Sequence, residues 1–552
     1  MTMENSQASS WADAYPRPRL RRPHYLLLNG LWDFALTRGE MPAGYSQTIT
    51  VPYAMEAPLS GIGQRHRPGD VLWYRRNFVM PHDFSGKRVL LHCGGVDQYG
   101  AVYLNHKPVG MLSFLHPTLE LTGLMAGENT LVIAVFDDLR DKAWPYGKQK
   151  EKRGGMWYTP VTGIWQTVWL EAVPGQYIRD IIVEPRDGGV LLRAEGITEG
   201  TVTLADGTAF ALAHGQALIT PARPVYWTPE NPHLYDFTLT AGEDSVQSYF
   251  ALRRIEARAG RLRLNEIPYF FHGVLDQGYW PDGLYTPPDP AGFDRDIQAM
   301  KALGFNTLRK HIKVEPELFY YACDRLGMAV FQDMVNNGGY SFLRDTALPT
   351  MGLQRLPNDR CLHRNRRSRA MFLRWMNETV RRLRSHPCVM YWTVFNEGWG
   401  QFDSSAVYRR LRQLDDTRII DSASGWFRGG ETDVESRHVY FRPFKMPEAS
   451  RPIVLSEFGG YGWKLPGHCW SAEKTYGYRN FQDGAAYMDA LELLYREQVL
   501  PAVPRGLNAA IYTQLSDVED EINGLMTYDR EVCKADAARM QALAAELRAA
   551  VR

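Results

Sequence analysis

The sequence predicts a multidomain chain in which two all-β domains precede a C-terminal (β/α)8 barrel. Three observations carry that prediction. The 552 residues exceed what one hydrophobic core organises. Up to residue 257, short strand-like runs alternate with Gly, Pro, Asn and Asp, and helical periodicity is almost absent. From about residue 258, apolar strands alternate with amphipathic helices.

Residues 1–175 hold the runs LWYRRNFVM, KRVLLHCGG, YGAVYLN, NTLVIAVFDD and IWQTVWLEAV, the grammar of a β-sandwich or jelly roll. Residues 176–257 continue with IRDIIVEP, GVLLRAEG and GTVTLADG, which fit a small immunoglobulin-like sandwich. The Pro- and aromatic-rich stretch PARPVYWTPENPHLY reads as a rigid segment late in that domain. In 258–552 the strand candidates are YFFHGVLDQ, FNTLRKHI, MAVFQDMV, VMYWTVFNE, RIIDSASGW, RHVYF, PIVLSEFGG and NAAIYTQLSD. No helical pattern follows the fifth or sixth, so the outer ring is expected to be irregular there. A doubly wound sheet would place a Gly-rich turn after its first strand, and HGVLDQGYWPDG is not that turn. Long interruptions at 336–366 and 459–482 follow strand ends. In a barrel those ends form the catalytic face, so both loops are expected to shape a pocket.

Composition narrows the function classes. Apolar content of 45% and charged content of 23% are ordinary for a globular protein. Lys and Arg number 63 against 62 Asp and Glu, which leaves no footprint for nucleic acid or an anionic membrane. No run of 18 apolar residues occurs, so no membrane span is expected. The six cysteines form no C-x-x-C pair, which argues against a zinc or redox motif and suits a reducing compartment. The opening MTMENSQASSWADAYPRPRL lacks the apolar core of a secretory signal, and a cytoplasmic location is the expectation.

Most barrel strands end in polar groups: Asp276 and Gln277, Arg309 and His311, Asp333, Asn396 and Glu397, His438 and Tyr440, Glu457, Gln514 and Asp517. One acid at a strand end is more often a loop cap or ion-pair member than a catalyst. A polar terminus on nearly every strand describes a cup of hydrogen-bonding groups. Glu397 and Glu457 stand out because each follows a long buried strand. Two such carboxylates can divide the work, one donating a proton to a leaving oxygen while the other attacks or directs water. Carboxyl groups about 5–5.5 Å apart would predict retention of configuration, and a wider gap inversion. Metal ligation by His272, His311 and His438 has no supporting spacing, and the chain has no G-x-S-x-G and no P-loop. No metal or cofactor is expected.

With these residues in place, the chain resembles the family 2 glycoside hydrolases, the group of β-galactosidases, β-glucuronidases and β-mannosidases. The resemblance covers essentially the whole length. It rests on LWYRRNF, GGVDQYGAVYLNHKPVG and GIWQTVWLE in the first domain, and on FFHGVLDQG, LGFNTLRKH, CDRLGMAVFQD, SHPCVMYWTVFNE and IVLSEFGG in the barrel. It implies that Glu397 is the general acid/base, that Asn396 bonds the sugar 2-hydroxyl, and that Glu457 is the nucleophile oriented by Tyr440. Arg309 and His311 match the second-strand motif. Asp276, Trp399, His438 and Gln514 complete the expected substrate-binding wall. Trp392 or Trp399, with the charge of Glu457, is expected to keep Glu397 protonated, while Tyr440 and Arg309 keep Glu457 ionised.

Departures from the family pattern bear on the sugar. Lys310 stands where Ser or Thr is usual, His106 where Gly is common, and Tyr391 and Thr393 flank Trp392. No Asn-x-Lys pair for a uronic carboxylate is evident; Lys464 in YGWKLPG is a candidate cation, though a loop surface residue is the better reading of it. The implied activity is that of an exo-acting retaining β-glycosidase on oligosaccharides or glycosides, β-galactosidase-like first. β-Glucuronidase, β-mannosidase, arabinosidase and a non-catalytic carbohydrate-binding protein are the alternatives. Large sandwich surfaces suit a homo-oligomer.

Overall fold

The computed structural model describes residues 10–551 apart from 357 and 472. The first nine residues, which open the segment read for a leader, lie outside them. Among the described residues no helix is long and apolar enough to cross a membrane.

Alternation builds the first β region. In Gly30–Thr37, Trp32 and Phe34 are buried while Leu31 points outward, because successive side chains of a strand leave on opposite faces. That strand belongs to a six-stranded antiparallel sheet ordered Gln47–Val51, Gly30–Thr37, Val71–Val79, Glu128–Phe136, Tyr99–Leu104, Lys107–Ser113. A four-stranded sheet of Tyr25–Leu27, Val168–Val173, Arg88–Cys93 and Thr118–Glu120 shares its core, which includes Phe34, Tyr74, Leu91, Ile133 and Leu170. A second core, with Ile181, Leu192, Val202, Leu239 and Phe250, lies between a three-stranded and a four-stranded sheet over residues 180–250.

Two buried contacts lock these regions together. Leu20 joins the second core, and Arg22 reaches Glu171 of the first region at 3.1 Å and Asp244 of the second at 3.0 Å. The aromatic segment after residue 221 serves the next unit: Trp227 sits in the barrel's hydrophobic cluster and donates from Nε1 to the Asp324 carbonyl at 2.8 Å.

The C-terminal half is a parallel eight-stranded sheet. Its strands are β1 (Phe271–Asp276), β2 (Thr307–Lys310), β3 (Ala329–Asp333), β4 (Val389–Thr393), β5 (Ile419–Asp421), β6 (Glu435–Val439), β7 (Ile453–Gly459) and β8 (Leu507–Thr513). All eight coincide with the expected strand segments. They lie in the order 5-4-3-2-1-8-7-6, and among the described residues β5 and β6 share no ladder, so the barrel is nearly closed. Strands such as β4 and β8 are buried on both faces, which is why they read as apolar runs without alternation.

Six main helices cover the outside: α1 (Gly292–Ala302), α2 (Glu317–Leu326), α3 (Arg366–Leu383), α4 (Ser404–Leu414), α5 (Gly484–Leu494) and α6 (Ala537–Ala550). Asn365, Asp483 and Asp536 cap α3, α5 and α6 by accepting first-turn backbone N–H groups. Among the described residues no helix lies between β5 and β7, as the sequence pattern anticipates.

The Arg22–Glu171 junction makes a stability prediction. Glu171 is fully buried and also accepts from Tyr15 Oη at 2.8 Å and Trp169 Nε1 at 3.1 Å. Glu171→Gln leaves the buried Arg22 guanidinium with Asp244 as its remaining partner and is expected to cost about 3 kcal/mol in chemical denaturation, the low end for breaking a buried pair. A loss below about 1 kcal/mol, the size of an exposed pair, would show that the junction contributes little.

Candidate active site

Arg309, on β2, is the hub of the barrel's C-terminal face. Its guanidinium is almost wholly buried and donates in four directions: Nε to Asp333 at 2.9 Å, Nη1 to Glu457 at 3.1 Å and to the Ser456 carbonyl at 2.9 Å, and Nη2 to Asn396 Oδ1 at 2.8 Å. One side chain thereby aligns the ends of β3, β4 and β7. Burial alone would raise the Asp333 carboxyl, but Arg309 and His311 prevail and bring it down to about 2. His311 completes that corner through Nδ1, 2.7 Å from Asp333.

The two glutamates come together across this hub. Glu457 accepts from Arg309 at Oε1 and from Tyr440 Oη at 2.5 Å at Oε2. Burial pushes its carboxyl up, yet His438, Arg309 and His311, with the Tyr440 hydroxyl, hold it below the ordinary glutamate value. Glu457 is therefore ionised at neutral pH. Glu397 leaves β4 through a backbone with φ of 52°, a left-handed conformation that costs a non-glycine residue about 1–3 kcal/mol. The turn sends its carboxylate to His438, whose Nδ1 lies 2.8 Å from Glu397 and 3.5 Å from Glu457. One oxygen of each glutamate and the imidazole nitrogen lie within 4.8 Å of one another.

Two serines orient the histidine. Ser456 Oγ donates to the Arg437 carbonyl at 3.2 Å, and Ser424 Oγ donates to Ser456 Oγ at 3.1 Å. The far nitrogen of His438, Nε2, meets Ser424 Oγ at 3.1 Å and Arg309 Nη1 at 3.4 Å, so the ring is fixed from behind while Nδ1 faces Glu397. Glu397 thereby faces an imidazole beside an ionised Glu457. The three side chains are also within reach of one cation, but the Arg309 guanidinium on Glu457 supplies positive charge there already.

Aromatic residues wall the cup. Trp399 stacks on Trp157 with centroids 5.1 Å apart and meets the edge of Tyr340 at 5.5 Å. Tyr478 stacks on Tyr440 at 4.0 Å. Tyr340 comes from the 336–366 loop and Tyr478 from the 459–482 loop, so both interruptions do shape the site. Trp157 comes from neither. It belongs to a long connection, 137–162, that leaves the first β region and crosses to the barrel mouth. There Tyr146 N bonds the Asn336 carbonyl, Tyr158 Oη donates to Glu521 at 2.5 Å, and Arg153 pairs with Asp520 at 3.1 Å.

The structure brings Asn396, Glu397, Arg309, His311, His438, Tyr440 and Glu457 into one network, with Trp399 beside it. Two other expected residues are engaged elsewhere. Asp276 takes Lys310 Nζ on one oxygen and Gly278 N on the other. Gln514 is wedged between Gln277 and Asn523. Trp392 gives its indole N–H to Asp415, so the partner of Glu397 is His438 rather than that ring. His272 lies with Gly304 and Tyr495, apart from the other two histidines' partners. Tyr478, Trp157, Tyr158 and Glu521 were not foreseen. The only signal for the connection was its density of aromatic and basic residues, AWPYGKQKEKRGGMWYTP, in a region without strand alternation.

With this geometry established, comparison with known proteins is decisive for the family. The profile of the glycosyl hydrolases family 2 TIM barrel domain matches residues 256–542. The chain belongs to glycoside hydrolase family 2. A β-galactosidase of Aeromonas hydrophila is 27% identical over 464 residues, covering 72% of this chain and 42% of that protein. One of Vibrio cholerae is 26% identical over 452 residues, covering 70% and 41%. The family 2 chain thus spans about two fifths of the length of these relatives. Among solved structures, a β-D-glucuronidase from Dictyoglomus thermophilum superimposes with a TM-score of 0.73 at 18% identity, over 96% of this chain and 98% of that one.

The Tyr440–Glu457 bond sets a pH prediction. Removing a donor to the anion destabilises the ionised form, so Tyr440→Phe should raise the Glu457 carboxyl. The acidic limb of the kcat/KM profile on a chromogenic glycoside should then move to higher pH. An unmoved or downward-shifted limb would remove Tyr440 from control of Glu457.

Proposed function

We propose that the chain is an exo-acting retaining β-glycosidase working by double displacement through Glu457 and Glu397. The observation that carries this is the close approach of the two carboxylates, bridged by His438, at one end of the barrel. So short a gap matches the spacing of retaining enzymes and leaves little room for a water between acid and base. Glu457 attacks the anomeric carbon as the glycosidic bond breaks, and Glu397 gives its proton to the departing oxygen. Glu397, now a carboxylate, takes a proton from water as that water displaces Glu457, and the sugar leaves with its original configuration. His438 and the serines behind it hold the Glu397 carboxyl in position. Arg309 and Tyr440 keep Glu457 charged and aimed. Asn396 Oδ1 is bound by Arg309, which leaves its amide N–H groups for a sugar hydroxyl.

Aromatic side chains from two barrel loops and from the 137–162 connection surround the carboxylates, which supports removal of terminal sugars. In this reading residues 1–175 form a jelly-roll domain, 176–257 an immunoglobulin-like sandwich and 258–552 the catalytic barrel, supported by the separate sandwich cores. The β-galactosidase names of the curated relatives and the β-glucuronidase name of the structural neighbour both support a β-glycoside substrate. Six free thiols support a reducing, cytoplasmic setting.

The decisive experiment is the configuration of the first product. Proton NMR of a 4-nitrophenyl β-glycoside digest should show the β-anomer before mutarotation, and the α-anomer appearing first would overturn the proposal. Glu457→Gln should lower kcat by at least about a thousandfold. Glu397→Ala should lose most with poor leaving groups and regain activity on adding azide, with a β-glycosyl azide as product. Wild-type rates in Glu457→Gln would remove that residue from the nucleophile role.

A further inference from the structure

We propose that Lys148 reads a negative charge on the substrate, so that the terminal sugar cleaved here carries an anionic substituent, a uronate carboxylate or a sulfate ester. This rests on the glycosidase reading above and names the substrate class of the same site. Lys148 lies on the 137–162 connection, where its Nζ stands 5.0 Å from the ring centroid of Trp399. Trp399 is two residues after Glu397 and one wall of the cup. The charge of Lys148 is felt by His311 and by Glu521, both of which also feel Glu457.

What distinguishes this lysine is its lack of a partner. Only 8% of its surface is exposed, yet among the described residues its ammonium makes no hydrogen bond and no ion pair. Other buried lysines are fully engaged. Lys310 holds Asp276 and Glu315, Lys313 holds Glu315 and two carbonyls, and Lys534 holds Asp517. Two cations near the cup are committed, Arg309 to Asp333 and Glu457, and Arg153 to Glu519 and Asp520, while Lys150, over Trp157 and Tyr340, is exposed to solvent. Next to Lys148, the indole Nε1 of Trp399 is buried without an acceptor.

Among the described residues the Lys148 ammonium keeps its donors free: stacking on an indole satisfies none of them, and Glu521, whose carboxyl feels its charge, forms no ion pair with it. A ligand anion would accept from those donors. The argument also runs from the substrate side. A sugar with a negative charge must approach Glu457, and without an unpaired cation that approach is repulsive. Lys148 supplies that cation from a different domain than the catalytic pair, which explains why no Lys-containing barrel motif is needed.

The test compares 4-nitrophenyl β-D-glucuronide, β-D-galacturonide and 6-sulfo-β-D-galactoside with the neutral galactoside, mannoside and arabinoside. Wild type should give its highest kcat/KM on one of the three charged substrates, and which one identifies the anion. Lys148→Met should lower the ratio of charged to neutral kcat/KM by about 30-fold or more, the size of a lost charge-assisted contact. Lys148→Gln should do the same, with both variants checked for unchanged melting temperature. As a readout independent of turnover, Glu457→Gln should be stabilised thermally by the matching free uronate or sugar sulfate, and Lys148→Met/Glu457→Gln should not. Preference for a neutral glycoside, or equal losses on charged and neutral substrates, would overturn the role of Lys148 and leave the glycosidase reading standing. Hydrolysis of none of the six, with no binding to Glu457→Gln, would overturn both.

Discussion

A single buried guanidinium organises the catalytic face of this barrel. Arg309 is surrounded by two carboxylates, an amide oxygen and a backbone carbonyl contributed by β3, β7 and the turn after β4. Burial alone drives both Asp333 and Glu457 toward the neutral form, and Arg309 offsets that drive at each, joined by His311 at Asp333 and by His438 at Glu457. The arginine in turn could not be buried without these two carboxylates. Charge balance and strand alignment are one constraint here, and the positions of Asn396, His311 and Glu457 follow from it.

The second level of organisation is the division of protons. Arg309 and Tyr440 both donate to Glu457, while Glu397 faces an imidazole whose far nitrogen is tied to a serine chain ending on a backbone carbonyl. Two chemically identical side chains are made different by what surrounds them. The barrel supplies that asymmetry from five strand ends. The cup that contains it is completed by loops from within the barrel and by a connection from the first β region, carrying Trp157, Tyr158 and Lys148. The β domains are therefore part of the site and not appendages to it.

The reading of the chain succeeded where local pattern has one physical meaning. Strands buried on both faces appear as apolar runs, and the eight runs coincide with the eight strands. Glu397 and Glu457 were visible because each acid interrupts such a run at its end. Asp276 and Gln514 satisfied the same rule and yet face other partners, Lys310 in one case and Gln277 with Asn523 in the other. A strand end specifies that a polar group sits at the mouth, but which neighbour it meets depends on register between strands. Trp392 shows the same limit: its place beside the Asn-Glu pair in sequence suggested contact, whereas the alternation of β4 turns its indole to Asp415.

The order of β regions and barrel, the strand segments and the presence of an acid at the ends of β4 and β7 were determined by the sequence alone, because hydrophobic period and strand length are local properties. The bridging role of His438, the hub role of Arg309 and the isolation of Lys148 were decided only by the tertiary structure. Each depends on distances between residues separated by up to several hundred positions, such as Lys148 and Trp399. Charges compensate through space, and one-dimensional spacing carries no information about which of many acids and bases will be brought within a few ångströms.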